Sequence, residues 1–472
     1  MRHLLILSLF VAISLFAALF VFLQKDPPEG YEFLFFLPFS FALVSLLFNK
    51  LYRYIPDNLA ISLMIFLFFC RMVLSPCALC LGNYTATINL DVKYNLFHAI
   101  MLMVYELVMV FATLFFVNQS KQSKIDTVIN GSLDSLSIST KRKYAFCILI
   151  SLVILSVCFY VSPFLKEMYR PITKIGDELF ANYEDSLFIA EYAKSFVIRF
   201  TMVVGMYFMR AMLIIFPAFV IVCCSEYKNA FSRIISLLCC VLPLFFIDGV
   251  IARSLIYAIC LFLLRERLFN TNKMERGIIF AGVMGVGAVL LWWNYFYVNT
   301  TLTMYESMSG RLSAYFSSVN NIAGVFNLPN DLGYRIKYFF YDFMLSIPFG
   351  HTIFGINDFS VSEFFNYYNH TKGQIPTTIG MGYFYFGDVF APLYSMLFAY
   401  LAYVSFFKLK NSSGNNPFQY IRYLYSTFVF CMGVVMYNIS ITMVIVFGIL
   451  IPMYILERLT SDSKLICRTN IF

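Results

Sequence analysis

Apolar stretches long enough to cross a bilayer recur along almost the whole chain, from residue 3 to residue 456. A hydrocarbon core about 30 Å thick requires roughly 20 apolar residues per helix, and most of these stretches approach that length. Charged residues make up only 13% of the chain, whereas they form about a quarter of a soluble domain. The pattern predicts an all-α, polytopic integral membrane protein in which residues 1–472 form a single membrane domain.

About twelve membrane helices can be placed along the chain. The first is longer than the roughly 7 to 15 residue apolar core of a cleavable signal, so we expect it to stay uncleaved. The predicted spans are 4–23, 31–48, 58–76, 96–117, 144–162, 199–222, 234–250, 252–264, 278–295, 383–406, 422–438 and 441–456.

Lysine and arginine are distributed unevenly between the connections of these helices. If the N-terminus lies in the cytoplasm, every second loop lies on the cytoplasmic side. Most of the lysines and arginines fall in these cytoplasmic loops, such as 118–143. Because cytoplasmic loops are enriched in these residues, both termini are predicted to be cytoplasmic. The same distribution accounts for the net charge of +8 without a nucleic-acid partner. Segments 163–198 and 296–382 are then long external loops.

Segment 296–382 is the longer of these two external loops, and its many aromatic residues argue against disorder. Part of it, 334–345, has the periodicity of an amphipathic helix suited to a membrane surface. Its apolar positions are Ile336, Phe339, Phe340, Phe343 and Met344. Arg335, Tyr338 and Asp342 share another face of that helix. This face either meets lipid headgroups or binds an anionic substrate at the interface.

Several polar side chains fall inside or at the ends of the predicted spans, where they are costly unless they are paired or functional. Arg253 is predicted at the outer mouth of the helix bundle, close to Asp248. It either forms an ion pair with Asp248 or binds a diphosphate, whose oxygens match the planar guanidinium fork. The other such residues are Arg71, His98, Glu106 and Arg210, and Glu106 can equally pair with one of the two arginines as a packing device.

The sequence offers few other groups for chemistry. Two of the four histidines, His351 and His370, fall in segment 296–382. Each is either an inert surface residue or a base. Cys77 and Cys80 are interpreted as packing residues, with a disulfide as the alternative, because no second pair has zinc spacing. Neither a nucleotide-binding motif nor a metal site is apparent. We therefore expect no cofactor, and any donor for group transfer must be carried by the membrane.

Three stretches carry a resemblance to a known family. They are IDGVIARSLI at 247–256, GYRIKYFFYDFMLSIPFGHTIFG at 333–355 and PTTIGMGYFYFG at 376–387. Their order and spacing resemble those of the O-antigen polymerases (Wzy-type), which share a superfamily with the O-antigen ligases. In that superfamily an arginine precedes a Pro-x-Gly turn, as Arg335 does here, and a Pro-Thr/Ser-x-x-Gly stretch with Phe-Gly opens the next helix.

The resemblance implies a GT-C-like membrane glycosyltransferase with a large periplasmic loop, in the inner membrane of a bacterium. It implies metal-independent transfer of an undecaprenyl-diphosphate-linked glycan onto another lipid-linked repeat unit on the periplasmic face. Its partners would be that lipid-linked oligosaccharide, the lipid bilayer and a polysaccharide chain-length regulator. The leaving diphosphate develops negative charge, which arginines can stabilise by several kcal/mol.

The resemblance also suggests roles for individual residues. Arg253, Arg335 and Arg311 would be catalytic, with His370 as the base that activates the acceptor hydroxyl. His351, Asp342 and Glu363 are alternatives for that base. Candidate substrate-binding residues are Arg210, Tyr338, Asp342 and His351.

Three other functions are compatible with the sequence. An O-antigen ligase would transfer the polymer to lipid A core and would release the same leaving group. A lipid-linked oligosaccharide flippase can also have about twelve helices, but such carriers usually have short loops and internal repeats, which are not apparent here. A purely structural member of a polysaccharide assembly complex would not depend on any single arginine.

Overall fold

The computed structural model of the protein describes most of the chain. The described residues are 2–55, 57–85, 95–122, 138–169, 194–224, 235, 303–316, 318–329, 331–356, 360–371, 374–411 and 417–460. The predicted spans 234–250, 252–264 and 278–295 lie outside these residues, apart from position 235.

The described part of the chain is helical throughout and contains no strand, which confirms the predicted all-α class. The helices are α1 (Arg2–Phe22), α2 (Phe36–Leu47), α3 (Leu59–Phe69), α4 (Ser75–Leu81), α5 (Leu96–Gln122), α6 (Ile138–Val161), α7 (Pro163–Met168), α8 (Phe196–Cys224), α9 (Met304–Tyr315), α10 (Val319–Ala323), α11 (Leu332–Ser346), α12 (Gly350–Phe354), α13 (Val361–Tyr368), α14 (Thr378–Phe386), α15 (Leu393–Asn411), α16 (Pro417–Val435), α17 (Ile439–Ile445) and α18 (Ile451–Thr460). Short 3₁₀ segments are Tyr31–Phe33, Asn49–Tyr54 and Gly324–Asn327, and π-helical turns at Cys70–Leu74 and Val446–Leu450 join α3 to α4 and α17 to α18.

Six helical segments among the described residues are long and apolar enough to cross a membrane, as expected of a membrane-embedded protein. They are His3–Phe22, Leu59–Leu81, Leu96–Ser120, Lys141–Val161, Phe196–Pro217 and Ile439–Arg458. Two shorter apolar helical segments, Tyr31–Leu47 and Ile421–Val435, accompany them. The total of about twelve spans and the GT-C-like architecture stay predictions.

The predicted span 383–406 is wrong as a single helix. The structure divides this stretch into α14 and α15, which are separated by residues 387–392. Gly387 ends α14 with a φ of 76°, a conformation that glycine adopts without the penalty a side chain would bring. Pro392 follows directly before α15, where the missing N–H of proline is harmless. The break places a polar residue, Asp388, between two apolar helices.

The contacts of the chain define two compact units, which we describe separately. The first unit comprises Met1–Asn130, Leu302–Asn411 and Tyr423–Phe447. In this unit α5 packs against α2, α10 and α15, α9 packs against α4, and α11 contacts α13, α14 and α17. The described part of the predicted loop 296–382 is therefore a series of helices packed onto the membrane-type helices of its own unit.

The second unit comprises Gly131–Thr301, Ser412–Arg422 and Gly448–Phe472. Its described core is formed by α6, α7 and α8, and α18 contacts α6. Arg422 and Glu457 form an ion pair with 2.7 Å between Nε and Oε2. The prediction that residues 1–472 form one membrane domain stays a prediction.

Candidate functional site

Helix α11 presents its apolar residues outwards and its polar residues inwards. Phe340 and Phe343 are about half exposed, whereas Tyr338 is 4% and Asp342 is 2% exposed. In water this arrangement would be unfavourable, since apolar burial is the main driving force of folding. It suits a helix whose outer face contacts lipid. Arg335 lies on the first turn of this helix and is half-buried.

The inward face of α11 rests on a cluster of aromatic rings. The ring of Tyr338 lies 4.3 Å from that of Phe364 on α13, and Tyr334 stacks beside them at 5.9 Å from Phe364. The ammonium group of Lys337 lies over the rings of Tyr338 and Tyr341, at 5.6 Å and 5.3 Å from their centroids. Tyr338 is thus part of the packing beneath α11, and Tyr334, 40% exposed, is the more accessible ring for a ligand.

Asp342 joins α11 to two other helices. Its Oδ1 accepts a hydrogen bond from the backbone N–H of Val361 at 3.1 Å, and its Oδ2 accepts one from the hydroxyl of Tyr385 at 2.6 Å. Burial raises the pKa of this carboxyl group to about 6. Both oxygens of Asp342 therefore accept hydrogen bonds from the protein, and its predicted role in substrate binding stays a prediction.

The ring of Tyr383 on α14 lies at the centre of a group of charged and aromatic side chains. The Asp388 carboxylate and the Arg335 guanidinium both interact electrostatically with the Tyr383 hydroxyl. The imidazole of His98 packs edge-on against the Tyr383 ring at 5.7 Å and stacks on Phe326 at 4.4 Å. Residues from α5, α11 and the turn after α14 therefore lie near one tyrosine of α14. We call Arg335, Tyr383, Asp388 and His98 the Tyr383 cluster.

His98 and Asp388 form the closest polar contact of the Tyr383 cluster. Nε2 of His98 lies 2.6 Å from Oδ1 of Asp388, and the two side chains are 44% and 61% exposed. A carboxylate only accepts hydrogen bonds, so Nε2 carries the proton and Nδ1 of a neutral imidazole is left as a base. The pair is therefore both accessible and oriented, as an acid or base for an incoming ligand must be.

A buried ion pair holds α5 in place two helical turns beyond His98. Nη1 of Arg71 lies 2.7 Å from Oε2 of Glu106, and both side chains are almost completely buried. The hydroxyl of Ser395 on α15 donates to the other oxygen of Glu106. Of the partners considered for Glu106 in the sequence, the structure shows Arg71. The network links α5 to α15 and to the π-helical turn Cys70–Leu74. It thereby fixes the position of α5 along its axis, and with it the position of His98 beside Asp388.

The remaining predicted site residues are distributed over the chain. Arg253 lies outside the described residues, and the side chains of Arg311, on α9, and His351, on α12, are not described. Arg210 lies on α8 in the second unit, near Tyr207. His370 is exposed in the turn after α13 with a φ of 47°. Within the described residues of the first unit, the structure brings Arg335, but not His370, to the Tyr383 cluster. Their assigned roles stay predictions.

The sequence does not identify Asp388 and Tyr383 as members of the candidate site. The predicted membrane helix 383–406 includes both residues, although Gly387, Asp388 and Pro392 together are signals for a break. The sequence marks His98 as a polar residue of a span, but its partner lies 290 positions away. Cys77 and Cys80 are free in the structure, in line with the packing interpretation.

Comparison of the chain with protein-family models, with curated proteins and with solved structures finds no match.

Proposed function

We propose that the protein is a membrane glycosyltransferase that polymerises a surface polysaccharide. It transfers an undecaprenyl-diphosphate-linked glycan onto another lipid-linked repeat unit at the periplasmic face of the bacterial inner membrane. The observation that carries the proposal is the Tyr383 cluster, which combines one arginine with a His–Asp pair beside a helix whose outer face is apolar. The order of motifs that resembles the O-antigen polymerases supports the same reading.

Arg335 is suited to the diphosphate of the donor. Its guanidinium is half-buried on the first turn of α11, and the exposed face of the same helix carries Ile336, Phe340 and Phe343. A polyprenyl diphosphate has an apolar chain and an anionic group at the membrane surface, so one helix can contact both parts. A planar guanidinium binds phosphate oxygens bidentately, and it stabilises the charge that develops on the leaving diphosphate.

His98 is suited to activation of the acceptor. The acceptor hydroxyl attacks the anomeric carbon of the donor sugar, and the bond between that carbon and the phosphate oxygen breaks. The hydroxyl proton passes to Nδ1 of His98 and then to solvent, while Asp388 orients the imidazole through Nε2. Undecaprenyl diphosphate leaves with the bonding electron pair. A positioned base of this kind contributes about 10²-fold to 10⁴-fold to a rate.

The test is gel analysis of surface polysaccharide from cells that lack the protein and carry wild-type or variant copies. We expect Arg335→Ala to reach wild-type levels in the membrane and to reduce the ladder to single repeat units on core. Arg335→Lys should retain only short chains, because a point charge does not replace the bidentate fork. Lys337→Ala is the matched control on the same helix, since Lys337 lies over the Tyr338 and Tyr341 rings, and it should give wild-type chains.

His98→Gln and Asp388→Asn test the second half of the cluster. The first should lower polymerisation by about 10²-fold or more, and the second should lower it less, because the imidazole remains but is less well oriented. Wild-type ladders in both Arg335→Ala and His98→Gln would overturn the proposed site. Loss of all polymer from core with accumulation of lipid-linked polymer would replace the polymerase by a ligase. Accumulation of single units facing the cytoplasm would replace it by a flippase.

A further inference from the structure

A cavity of about 600 Å³ opens between α13 and α17 in the first unit, and most of its lining surface is apolar. Ligand cavities in proteins typically measure about 300 to 1,000 Å³. Its lining includes Glu363, Asn366 and Tyr367 from α13, Gln374 from the following segment, and Ser440 from α17. The Tyr383 cluster does not include any of these residues, so this cavity is a separate feature of the same unit.

Asn366 uses its whole amide to hold one wall of the cavity. Its Nδ2 donates to the carbonyl oxygens of Ser362, at 2.6 Å, and Gln374, at 2.8 Å. Its Oδ1 accepts from the hydroxyl of Thr371, at 3.0 Å, and from the backbone N–H of Gln374, at 2.9 Å. Four hydrogen bonds from one side chain therefore fix Thr371 and Gln374 against α13. This side of the cavity is therefore preorganised by contacts within the protein.

The side chain of Gln374 is an acceptor that lacks a partner in this wall. Its Oε1 is buried and makes no hydrogen bond to any described residue. A buried carbonyl oxygen without a donor is unfavourable, and a ligand hydroxyl would satisfy it. Ser362 also lies in the lining, where its hydroxyl oxygen accepts from Nδ2 of Asn438 at 2.8 Å and its O–H can donate to a ligand.

The chemistry of the lining suits a neutral ligand that has both hydroxyl groups and apolar faces, as a sugar has. The lining combines hydroxyls, amides and the carboxylate of Glu363 with the apolar side chains of Ile375, Ile441 and Val444, and none of the lining residues is a lysine or an arginine. An anionic group would meet repulsion from Glu363 without a compensating cation. Tyr367 adds an aromatic ring that is 66% exposed and can stack on the apolar face of a sugar.

The cavity lies close to the helix that carries Arg335. Asp342 accepts from the N–H of Val361, which begins α13, and Arg335 lies seven residues before Asp342 on α11. Seven residues of α-helix advance by about 10 Å. A glycan whose diphosphate lies at Arg335 can therefore extend toward the start of α13.

From these contacts we infer that the cavity between α13 and α17 is a glycan-binding subsite for uncharged sugars of the lipid-linked chain. This inference rests on the proposed function in one respect, namely that the bound glycan is part of the lipid-linked substrate. The binding step itself, recognition of sugar hydroxyls by Gln374, Ser362 and Glu363, does not require catalysis.

The test measures binding without turnover, on the full-length protein in detergent micelles. The probe is the oligosaccharide released by mild acid from the lipid-linked repeat units of the same cells, and saturation-transfer NMR reports its contact with the protein. Gln374→Met keeps the backbone bonds to Asn366 and removes the amide, so it should weaken binding at least tenfold. Gln24→Met is the matched control, because the Gln24 amide donates to the carbonyl of Phe20 at the end of α1.

Two further variants separate the possible failures. Arg335→Ala should bind the released oligosaccharide as the wild type does, because the probe lacks the diphosphate. Glu363→Gln keeps the acceptor that Ser360 uses at the start of α13 and removes the charge, so a neutral sugar should bind within about threefold of wild type. Unchanged oligosaccharide binding in Gln374→Met would overturn the subsite. Wild-type polysaccharide chains in cells that lack the protein, together with lost oligosaccharide binding in Gln374→Met, would overturn the proposed function and leave the subsite standing.

Discussion

The buried carboxyl group of Asp342 should make the stability of the protein depend on pH. Its pKa rises from an ordinary 3.8 to about 6 because the folded protein buries it. The folded state therefore binds this proton more tightly than the unfolded state does. The resulting stabilisation is complete below about pH 4 and is lost as pH rises through about 6. The shift of about two pKa units corresponds to about 3 kcal/mol between these limits.

Asp342→Asn should remove this dependence and keep the contacts. The amide oxygen can accept from the N–H of Val361, and the amide nitrogen can donate to the oxygen of Tyr385, whose hydroxyl rotates away. We expect the variant to match wild type near pH 4 and to be more stable near pH 7.5, by at most about 3 kcal/mol. Asp342→Leu leaves both the Val361 N–H and the Tyr385 hydroxyl without a partner, and it should cost about 2 to 6 kcal/mol at either pH.

The assay for Asp342 is thermal unfolding of the full-length protein in detergent, followed by intrinsic fluorescence between about pH 4.5 and pH 7.5. The difference in apparent midpoint between the wild type and Asp342→Asn isolates the one group, since all other titrating residues are shared. If both proteins lose stability in parallel as pH rises, Asp342 is not the group that titrates. If Asp342→Asn is as unstable as Asp342→Leu, the carboxylate makes a contact that an amide cannot replace.

Two further predictions concern the helix packing around the Tyr383 cluster. Arg71→Met alone leaves the Glu106 carboxylate buried without its cation and should cost about 3 to 5 kcal/mol, whereas Arg71→Met with Glu106→Leu should recover most of that loss. Apparent unfolding midpoints check this, and a double variant no more stable than the single one would contradict it. Gly382→Ala would place its new methyl carbon 2.0 Å from the carbonyl oxygen of Ala391, so α14 must shift, with a loss of about 1 to 3 kcal/mol and of polymerising activity. Gly310→Ala on α9, where nothing lies within 4 Å of the new methyl carbon, is the control and should be neutral or slightly stabilising.

Several of the spans and the helix around 334–345 could be predicted because periodicity and apolar length are local properties of a sequence. The predicted span 96–117 lies within α5, and the amphipathic segment lies within α11. The orientation of α11 could not be read from its sequence. Periodicity distinguishes two faces, but whether the apolar one meets lipid or protein depends on which helices pack beside it. Here the cluster formed by Tyr338, Asp342 and the rings of α13 takes the inner position.

The polar contacts that define the candidate site could not be predicted, because they join positions that are distant along the chain. Arg71 and Glu106 are 35 residues apart, and His98 and Asp388 are 290 residues apart. One sequence offers several partners for each charge, and only the packing of α5 against α15 selects among them. The helix break at Gly387 has a local signal, but apolar residues continue on both sides of it and favour a single long span in the sequence.

Two positions on α5, Glu106 and His98, show how one helix can combine a buried ion pair with an exposed polar side chain. Glu106 lies in the middle of a span, where an unpaired carboxylate would be very costly, and Arg71 and Ser395 occupy both of its oxygens. His98 lies eight residues earlier, about 12 Å along the helix axis, and its side chain is 44% exposed. Because a buried ion pair tolerates little movement, it fixes the rotation and the height of α5. The exposed imidazole is thus held beside Asp388 by contacts that a substrate does not have to displace.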